Sequence, residues 1–208
     1  MPTTTELTEE YIRRHPSIQD CLAKGLVNYS SLARLISGSI SSRKKTTKEA
    51  ILIAARRYRD KIAQSPKNEQ KIIRLLGESE LEIKNRIFVM VVDRRFSDRL
   101  LKLEKEVKET GGIFYMIDGV SVVTIVSSEK YYAKASRLFA PVKTERDLVM
   151  IILKTSEDIE TIPGVMGYLY SLFMGYGINI VETLSCWTDT IFVVSEKDLA
   201  AALNLLKF

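Results

Sequence analysis

The sequence is short of the residues that build metal centres and covalent cross-links. It has one histidine, His15, and two cysteines, Cys21 and Cys186, in 208 residues. That excludes zinc-finger, two-histidine protease and iron–sulfur ligand sets within one chain, and leaves metal chemistry to carboxylates alone. It also excludes a disulfide scaffold; both cysteines fall in apolar periodic segments and are expected to pack as inert thiols. His15 precedes Pro16 and reads as a helix-end residue. There is no phosphate-binding G-x-x-x-x-G-K-[ST] loop, no G-x-S-x-G elbow and no G-x-G-x-x-G between a strand and a helix. The expectation is a protein with no catalytic residue, no cofactor and no metal site. Its first residues, Met1-Pro2-Thr3-Thr4-Thr5-Glu6, lack the charged and apolar blocks of a secretory signal. With two lone cysteines this points to the cytoplasm, where the sequon Asn28-Tyr29-Ser30 is incidental.

What is present is ordinary for a globular protein: 46% hydrophobic and 27% charged residues. The net charge of +5 is unevenly spread, with 13 basic and 7 acidic side chains in residues 1–70 against 18 and 19 in the remainder. The basic character therefore belongs to the N-terminal third. One uncharged stretch of 20 residues, Ile162 to Val181, is long enough to cross a bilayer. It contains Pro163, four glycines, Asn179 and three tyrosines, with no basic cluster close by. The favoured reading is a buried helix running through a glycine turn into a buried strand, with no membrane span.

From Thr8 to Leu76 the signals are helical. Glu9 to Arg14 forms one segment, and Pro16 opens another that ends before Gly25. Asn28 or Ser30 caps Leu32 to Ser37, which Gly38 stops; Gly38 to Lys45 reads as a basic loop. Thr46 and Glu49 form a capping box for a helix to about Gln64, with Ile51, Ala54 or Ala55, Tyr58 and Ile62 on one face. Ser65-Pro66 breaks it, and a last helix spans Lys67 to Leu76.

From Arg86 the pattern changes to strand, helix, strand, strand, helix: Ile87–Val92, Phe96–Thr110, Ile113–Ile117, Ser121–Val126 and Glu129–Phe139. It recurs as Leu148–Leu153, Pro163–Tyr176, Ile178–Ser185, Thr190–Val194 and Lys197–Leu206. Two βαββαβ units of ferredoxin-like, α+β type follow, preceded by a helical domain. The boundaries read as 1–77, 80–143 and 147–208. The second unit ends after its second helix without a final strand. An open sheet edge invites pairing, so a strand from the first copy, such as Glu80-Leu81-Glu82-Ile83, or one from a second subunit is expected to cover it, and dimerisation is favoured.

The most specific feature is Glu157-Asp158-Ile159-Glu160-Thr161-Ile162-Pro163-Gly164-Val165-Met166, followed by a helix and then Gly177-Ile178-Asn179-Ile180. The strand, polar loop, Pro-Gly-Val helix start, glycine turn and closing segment resemble an ACT domain, nearest to the regulatory ACT domains of aspartate kinases. The resemblance covers residues 147–208. Residues 86–141 share the element order but have Arg94-Arg95-Phe96-Ser97 in place of Pro-Gly. It implies a module that binds an amino acid at the interface of paired domains and signals to an attached unit. The residues support this independently: a proline-started helix with Gly164 leaves the amides of Val165 and Met166 open to a carboxylate. Asp158 or Glu157 can pair with an ammonium group, and Asn179 offers a donor and an acceptor. The expected ligand-binding set is Asp158, Ile162, Gly164, Val165, Met166, Asn179 and Ile180.

In the basic third, Ser17–Lys24, a turn around Gly25 and Tyr29–Ser37 have the spacing of a helix-turn-helix. Arg34, Arg43, Lys44, Lys45, Arg56, Arg57 and Arg59 are the candidate DNA phosphate contacts. The expectation is thus a non-enzymatic, amino-acid-sensing homodimer with a transcriptional output. The alternative is a regulatory partner of an amino-acid biosynthetic enzyme, such as an aspartate kinase, with the helical domain docking protein.

Overall fold

Amphipathic spacing sets the helices. In the computed structural model, which describes residues 2–41, 45–63 and 68–208, α1 (Thr4–Arg13), α2 (Pro16–Ala23), α3 (Tyr29–Ile40) and α4 (Lys48–Ile62) turn their apolar stripes toward one another. Leu7 and Ile12 of α1, Leu22 of α2, Ile36 of α3 and Ile51 and Tyr58 of α4 share one core. Glu9 is nearly enclosed there, and it joins α1 to α4 by accepting from Lys61 at 2.8 Å while also pairing with Arg13 at 2.8 Å. Lys61 above all, helped by Arg13, holds its carboxyl below the usual range. His15 ends the α1–α2 connection as expected, its ring stacked on Tyr11 at 4.1 Å.

Some helix ends differ from the sequence reading. Thr47 caps α4, accepting from the Ala50 amide at 3.2 Å, so the Thr46–Glu49 box does not form; a capping box forms instead at Thr3 and Glu6. Gly38 does not stop α3, which continues to Ile40 because Ile36 and Ile40 are both buried. The Ser65-Pro66 break and the middle of the basic loop lie outside the described residues.

The chain divides into units of residues 1–67 and 68–208. Accordingly α5 (Asn68–Gly77) goes with the sheet: Ile72, Leu75 and Leu76 sit in the same core as Val149, Ile151 and Leu153. The second unit is one antiparallel sheet of β1 (Glu80–Asp93), β2 (Phe114–Asp118), β3 (Val122–Ser128), β4 (Lys143–Lys154), β5 (Ile180–Cys186) and β6 (Asp189–Ser195). Its order is β2-β3-β1-β4-β6-β5. Helices α6 (Ser97–Glu109) and α7 (Tyr132–Leu138) belong to the first repeat, and α8 (Val165–Gly175) and α9 (Leu199–Leu205) to the second. The uncharged stretch becomes α8, a glycine turn and β5; among the described residues no helix is long and apolar enough to cross a membrane.

The two repeats complete each other. Ile87–Asp93 of β1 pairs with β3, while Glu80–Lys84 pairs with Met150–Lys154 of β4. Lys143–Glu145 of β4 in turn lies beside Val89–Val91 of β1. Each long strand therefore opens one repeat and closes the other. The strand missing from the second repeat is Glu80–Lys84, as one of the two sequence alternatives held, so the edge that was to favour dimerisation is covered within the chain. Arg86 and Asp147, both at φ 55°, mark the points where the strands change partner, and Ile87 stands opposite Leu148 just beyond them.

Alternation along these strands builds two kinds of core. Phe88, Met90 and Val92 face α6, and Val149, Ile151 and Leu153 face α8 and α9. On the other side, Ile87, Val89 and Val126 cluster with Leu148, Met150 and Val193, joined by Tyr115 near one end of the strand order and Leu184 near the other. Strands from opposite edges meet in one cluster, so the sheet curls over on its helix-free face. Burial pushes the Tyr115 hydroxyl above its usual value, and Asp189 adds to the shift. Burial on both faces explains the unbroken apolar runs in β1 and β4.

Leu153 is fully buried. Leu153→Ala should cost about 2–5 kcal/mol in urea unfolding. Glu82 lies between Lys154, at 2.7 Å, and Lys84, which together lower its carboxyl to about 2. Its contribution is complete above the ordinary carboxylate range and is lost as the pH falls toward that value. In an NMR titration Lys154→Ala should move the Glu82 midpoint upward.

Candidate functional site

The loop after β4 is fixed by its backbone. Thr155 donates its amide and hydroxyl to the Thr188 carbonyl, at 3.0 and 3.1 Å, tying the loop to the β5–β6 turn. A 3-10 turn over Glu157–Glu160 follows, and the Asp158 carbonyl accepts from the amides of Thr161 and Ile162 and from the Thr161 hydroxyl. These bonds hold the backbone while the Asp158 carboxylate stays exposed, with no partner among the described residues. Pro163 leads into Gly164 at φ +98°, a left-handed conformation that suits glycine. The Tyr168 amide closes the first turn of α8 on the Gly164 carbonyl at 2.9 Å, and no side chain caps the helix. The amides of Val165 and Met166 are thus open, the electropositive start expected from the sequence.

A cleft of about 380 Å³ lies beside this loop. One wall is Asp158, Thr161 and Ile162; the other is α5, through Lys71, Arg74, Leu75 and Glu78. Arg74 pairs with Glu78 at 3.1 Å, but Lys71 has no ion-pair partner among the described residues. The cleft therefore offers an unpaired ammonium on α5, an unpaired carboxylate on the loop and an apolar floor from Leu75 and Ile162. Ile72 lies over the helix start, its Cδ1 placed 3.6 Å from where a Gly164 side chain would begin. Lys71, Arg74 and Glu78 were not among the candidates read from the sequence. Their stripe on α5 is visible there, but its packing beside Asp158 is not.

The seven expected ligand residues do not converge. Asp158, Ile162, Gly164, Val165 and Met166 lie together at the start of α8; the Val165 side chain is buried, and Met166 receives the Thr190 hydroxyl at its sulfur. Asn179 and Ile180 lie beyond the other end of α8, roughly 16 Å away at 1.5 Å per residue. The register confirms the separation: Ile180 pairs with Val194, which pairs with Val149 near the beginning of the second-repeat part of β4, whereas Gly164 follows the end of that strand. Within one chain, Asn179 cannot reach a ligand held by Gly164.

At the matching place in the first repeat, Arg94 forms two contacts of 3.1 Å with Asp118, and the Arg95 amide donates to Asp93. Phe96 packs on Phe139, with Arg95 and Arg99 over its ring. That helix start is filled by the chain's own side chains.

In the helical unit, Arg43 and Lys44 lie outside the described residues. Arg34 bonds to the Ser31 hydroxyl, Arg56 lies over the Tyr29 ring, and Arg59 grips Asp60. Arg57 and Lys45 are exposed. Three of the five described candidates are thus engaged within the unit. Cys21 and Cys186 are both exposed, against expectation, because they lie on the outer side of α2 and at the end of edge strand β5.

No family model matches the sequence, and no curated protein does. Solved structures do share the fold. An aspartate kinase from Clostridium acetobutylicum, described as an allosteric enzyme, matches with a TM-score of 0.52 at 14% identity, over 61% of this chain and 33% of that one. The chain thus spans about a third of that enzyme's length. The ligand-free regulatory subunit of the Thermus thermophilus aspartate kinase matches at 0.48 and 11% identity, over 61% of this chain and 92% of that one. A protein of unknown function from Vibrio cholerae matches at 0.49 and 15%, over 67% and 95%. The likeness is one of fold: an α+β, ACT-type arrangement.

The glycine requirement at the start of α8 is directly measurable. Gly164→Ala meets no clash, since Ile72 is at ordinary contact distance, but it places a side chain at positive φ. It should destabilise by about 1–2 kcal/mol in chemical denaturation.

Proposed function

We propose that the sheet unit is a regulatory module that binds a free amino acid in the cleft between α5 and the loop before α8. The observation that carries this reading is the pairing of opposite, unneutralised charges across one cleft, Lys71 on α5 and Asp158 on the loop. A zwitterion's carboxylate would meet Lys71 and its ammonium Asp158, with its side chain against Leu75 and Ile162. The uncapped start of α8 adds positive potential on the same side. The ACT-type fold supports the class of function, and the filled helix start of the first repeat supports a single site per chain.

In this reading the protein is a non-enzymatic, cytoplasmic regulator. It acts as a homodimer through the outer edge of β5, beside which Tyr170, Met174 and Tyr176 are exposed. Its output is the docking of a protein such as a biosynthetic enzyme in preference to DNA, because Arg34, Arg56 and Arg59 already have partners within the helical unit.

Thermal denaturation in the presence of each of the twenty amino acids tests the reading. A ligand at about 100 times its dissociation constant adds about 2.7 kcal/mol to the stability of the unit that binds it. At least one amino acid should raise the transition, and Lys71→Ala and Asp158→Asn should each abolish the response. A panel without any shift rejects amino-acid sensing; a response that survives both substitutions moves the site elsewhere.

A further inference from the structure

The cleft between α5 and the loop before α8 is lined by four charged side chains, and the zwitterion described above engages only two of them, Lys71 and Asp158. Arg74 and Glu78 remain. On α5, Lys71, Arg74, Leu75 and Glu78 fall at i, i+3, i+4 and i+7, one stripe of the helix. Lys71 and Glu78 are two turns apart, about 10.5 Å at 1.5 Å per residue. A ligand whose carboxylate meets Lys71 and whose methylenes cover Leu75 therefore directs the end of its side chain toward Arg74 and Glu78.

That end of the cleft is a donor and an acceptor side by side. Arg74 donates from Nε to Oε1 of Glu78 at 3.1 Å, the pair's one side-chain contact among the described residues. The contact uses one guanidinium nitrogen and one carboxylate oxygen, so both Nη groups of Arg74 and Oε2 of Glu78 keep their hydrogen-bonding capacity. The four charged side chains of the lining, Lys71 and Arg74 against Glu78 and Asp158, sum to zero. A ligand with a net charge gains nothing from such a lining, because each attraction is matched by a repulsion. Thr161, the other polar residue of the wall, already gives its hydroxyl to the Asp158 carbonyl.

We propose that the cleft selects an amino acid whose side chain ends in a carboxamide, with Arg74 donating to the amide oxygen and Glu78 accepting from the amide nitrogen. This rests on the reading of the cleft as an amino-acid site and adds the class of side chain it takes. A carboxamide is neutral and carries an acceptor and a donor on one carbon, the complement of what the pair leaves open. A carboxylate of the same shape would bond Arg74 but face Glu78 as a like charge, and an ammonium group would do the reverse. An apolar end would cover the ion pair and return no hydrogen bond. The two-turn span from Lys71 to Glu78 favours glutamine over the shorter asparagine, and its extra methylene lies against Leu75 and Ile162.

The test is titration calorimetry on the full chain with glutamine, asparagine, glutamate, lysine and methionine, the last matching glutamine in length without its hydrogen-bonding end. Glutamine should bind about tenfold or more tightly than glutamate, lysine and methionine, and more tightly than asparagine. Glu78→Lys makes that end of the cleft wholly cationic and should move the preference to glutamate; Arg74→Glu should move it to lysine. The Arg74 and Glu78 side chains are 83% and 66% exposed, so neither change disturbs the core, and circular dichroism checks that the helices are retained. If none of the twenty amino acids binds, the cleft reading falls and this inference with it. If another amino acid binds as tightly as glutamine or more so, and Lys71→Ala abolishes its binding, the cleft reading stands and the carboxamide inference is overturned. Glutamine binding that keeps its preference in both Glu78→Lys and Arg74→Glu overturns the role given to the pair.

Discussion

The antiparallel pairing of β1 with β4 is the constraint on which the sheet unit depends. Neither repeat has a complete sheet of its own: the second borrows Glu80–Lys84 and the first borrows Lys143–Glu145. Because the strands run in opposite directions, one pairing closes both repeats and brings Ile87 opposite Leu148. It also decides burial. Strands in the middle of a sheet covered by helices on one face and by the curled sheet on the other lose contact with water on both sides, so Phe88 and Val89, or Val149 and Met150, are buried although they point in opposite directions. Separated from the other, each repeat would expose an apolar strand with unpaired amides.

Much of this arrangement is legible in the sequence, and the gaps have physical reasons. Type and order of the elements follow from periodicity: the offset between Ile87 and Leu148 reveals the duplication, and the missing last strand reveals that something must replace it. The lengths of β1 and β4 are not legible. Glu80–Ile83 alternates and reads as a strand, but no local signal joins it to Ile87–Val92 as one strand, and Lys143–Arg146 is a mixed polar segment without alternation, lying where the sheet is partly exposed. The place of α5 is hidden for a different reason. Ile72, Leu75 and Leu76 declare an amphipathic helix, but periodicity says only that a face is buried, and which core buries it is a tertiary fact.

The site was legible in part for the same reason. The Pro163-Gly164 signal before α8 is local, carried by backbone conformation, although the helix begins at Val165, two residues after the proline at which the sequence reading starts it. Asn179 was grouped with it because the two flank one helix in sequence. A helix that returns along the sheet carries its two ends to opposite sides, and adjacency along the chain becomes separation in space. Across the cleft from Asp158 stands instead Lys71, far away in sequence and brought there by the packing of α5. This changes how a bound molecule would act. A ligand held between the loop and α5 contacts the first helix after residue 67, the element through which the chain passes from the helical unit into the sheet unit. If it binds more tightly when α5 is docked, occupancy stabilises that docked state by the same differential free energy, which is all that regulation requires.

Comparison of the two repeats shows how little of this is a property of the fold. Both place a helix start after their first strand, in the same order of elements. In the second the start is preceded by proline and glycine, no side chain caps it and a cleft lies beside the loop that leads into it. In the first, Arg94 reaches Asp118 and Phe96 packs against Phe139. Neither helix start has a side-chain cap; what differs is that a cleft lies beside the second, while an ion pair and aromatic packing lie beside the first. Which helix start stands beside a cleft is therefore decided by a few residues and not by the duplicated architecture.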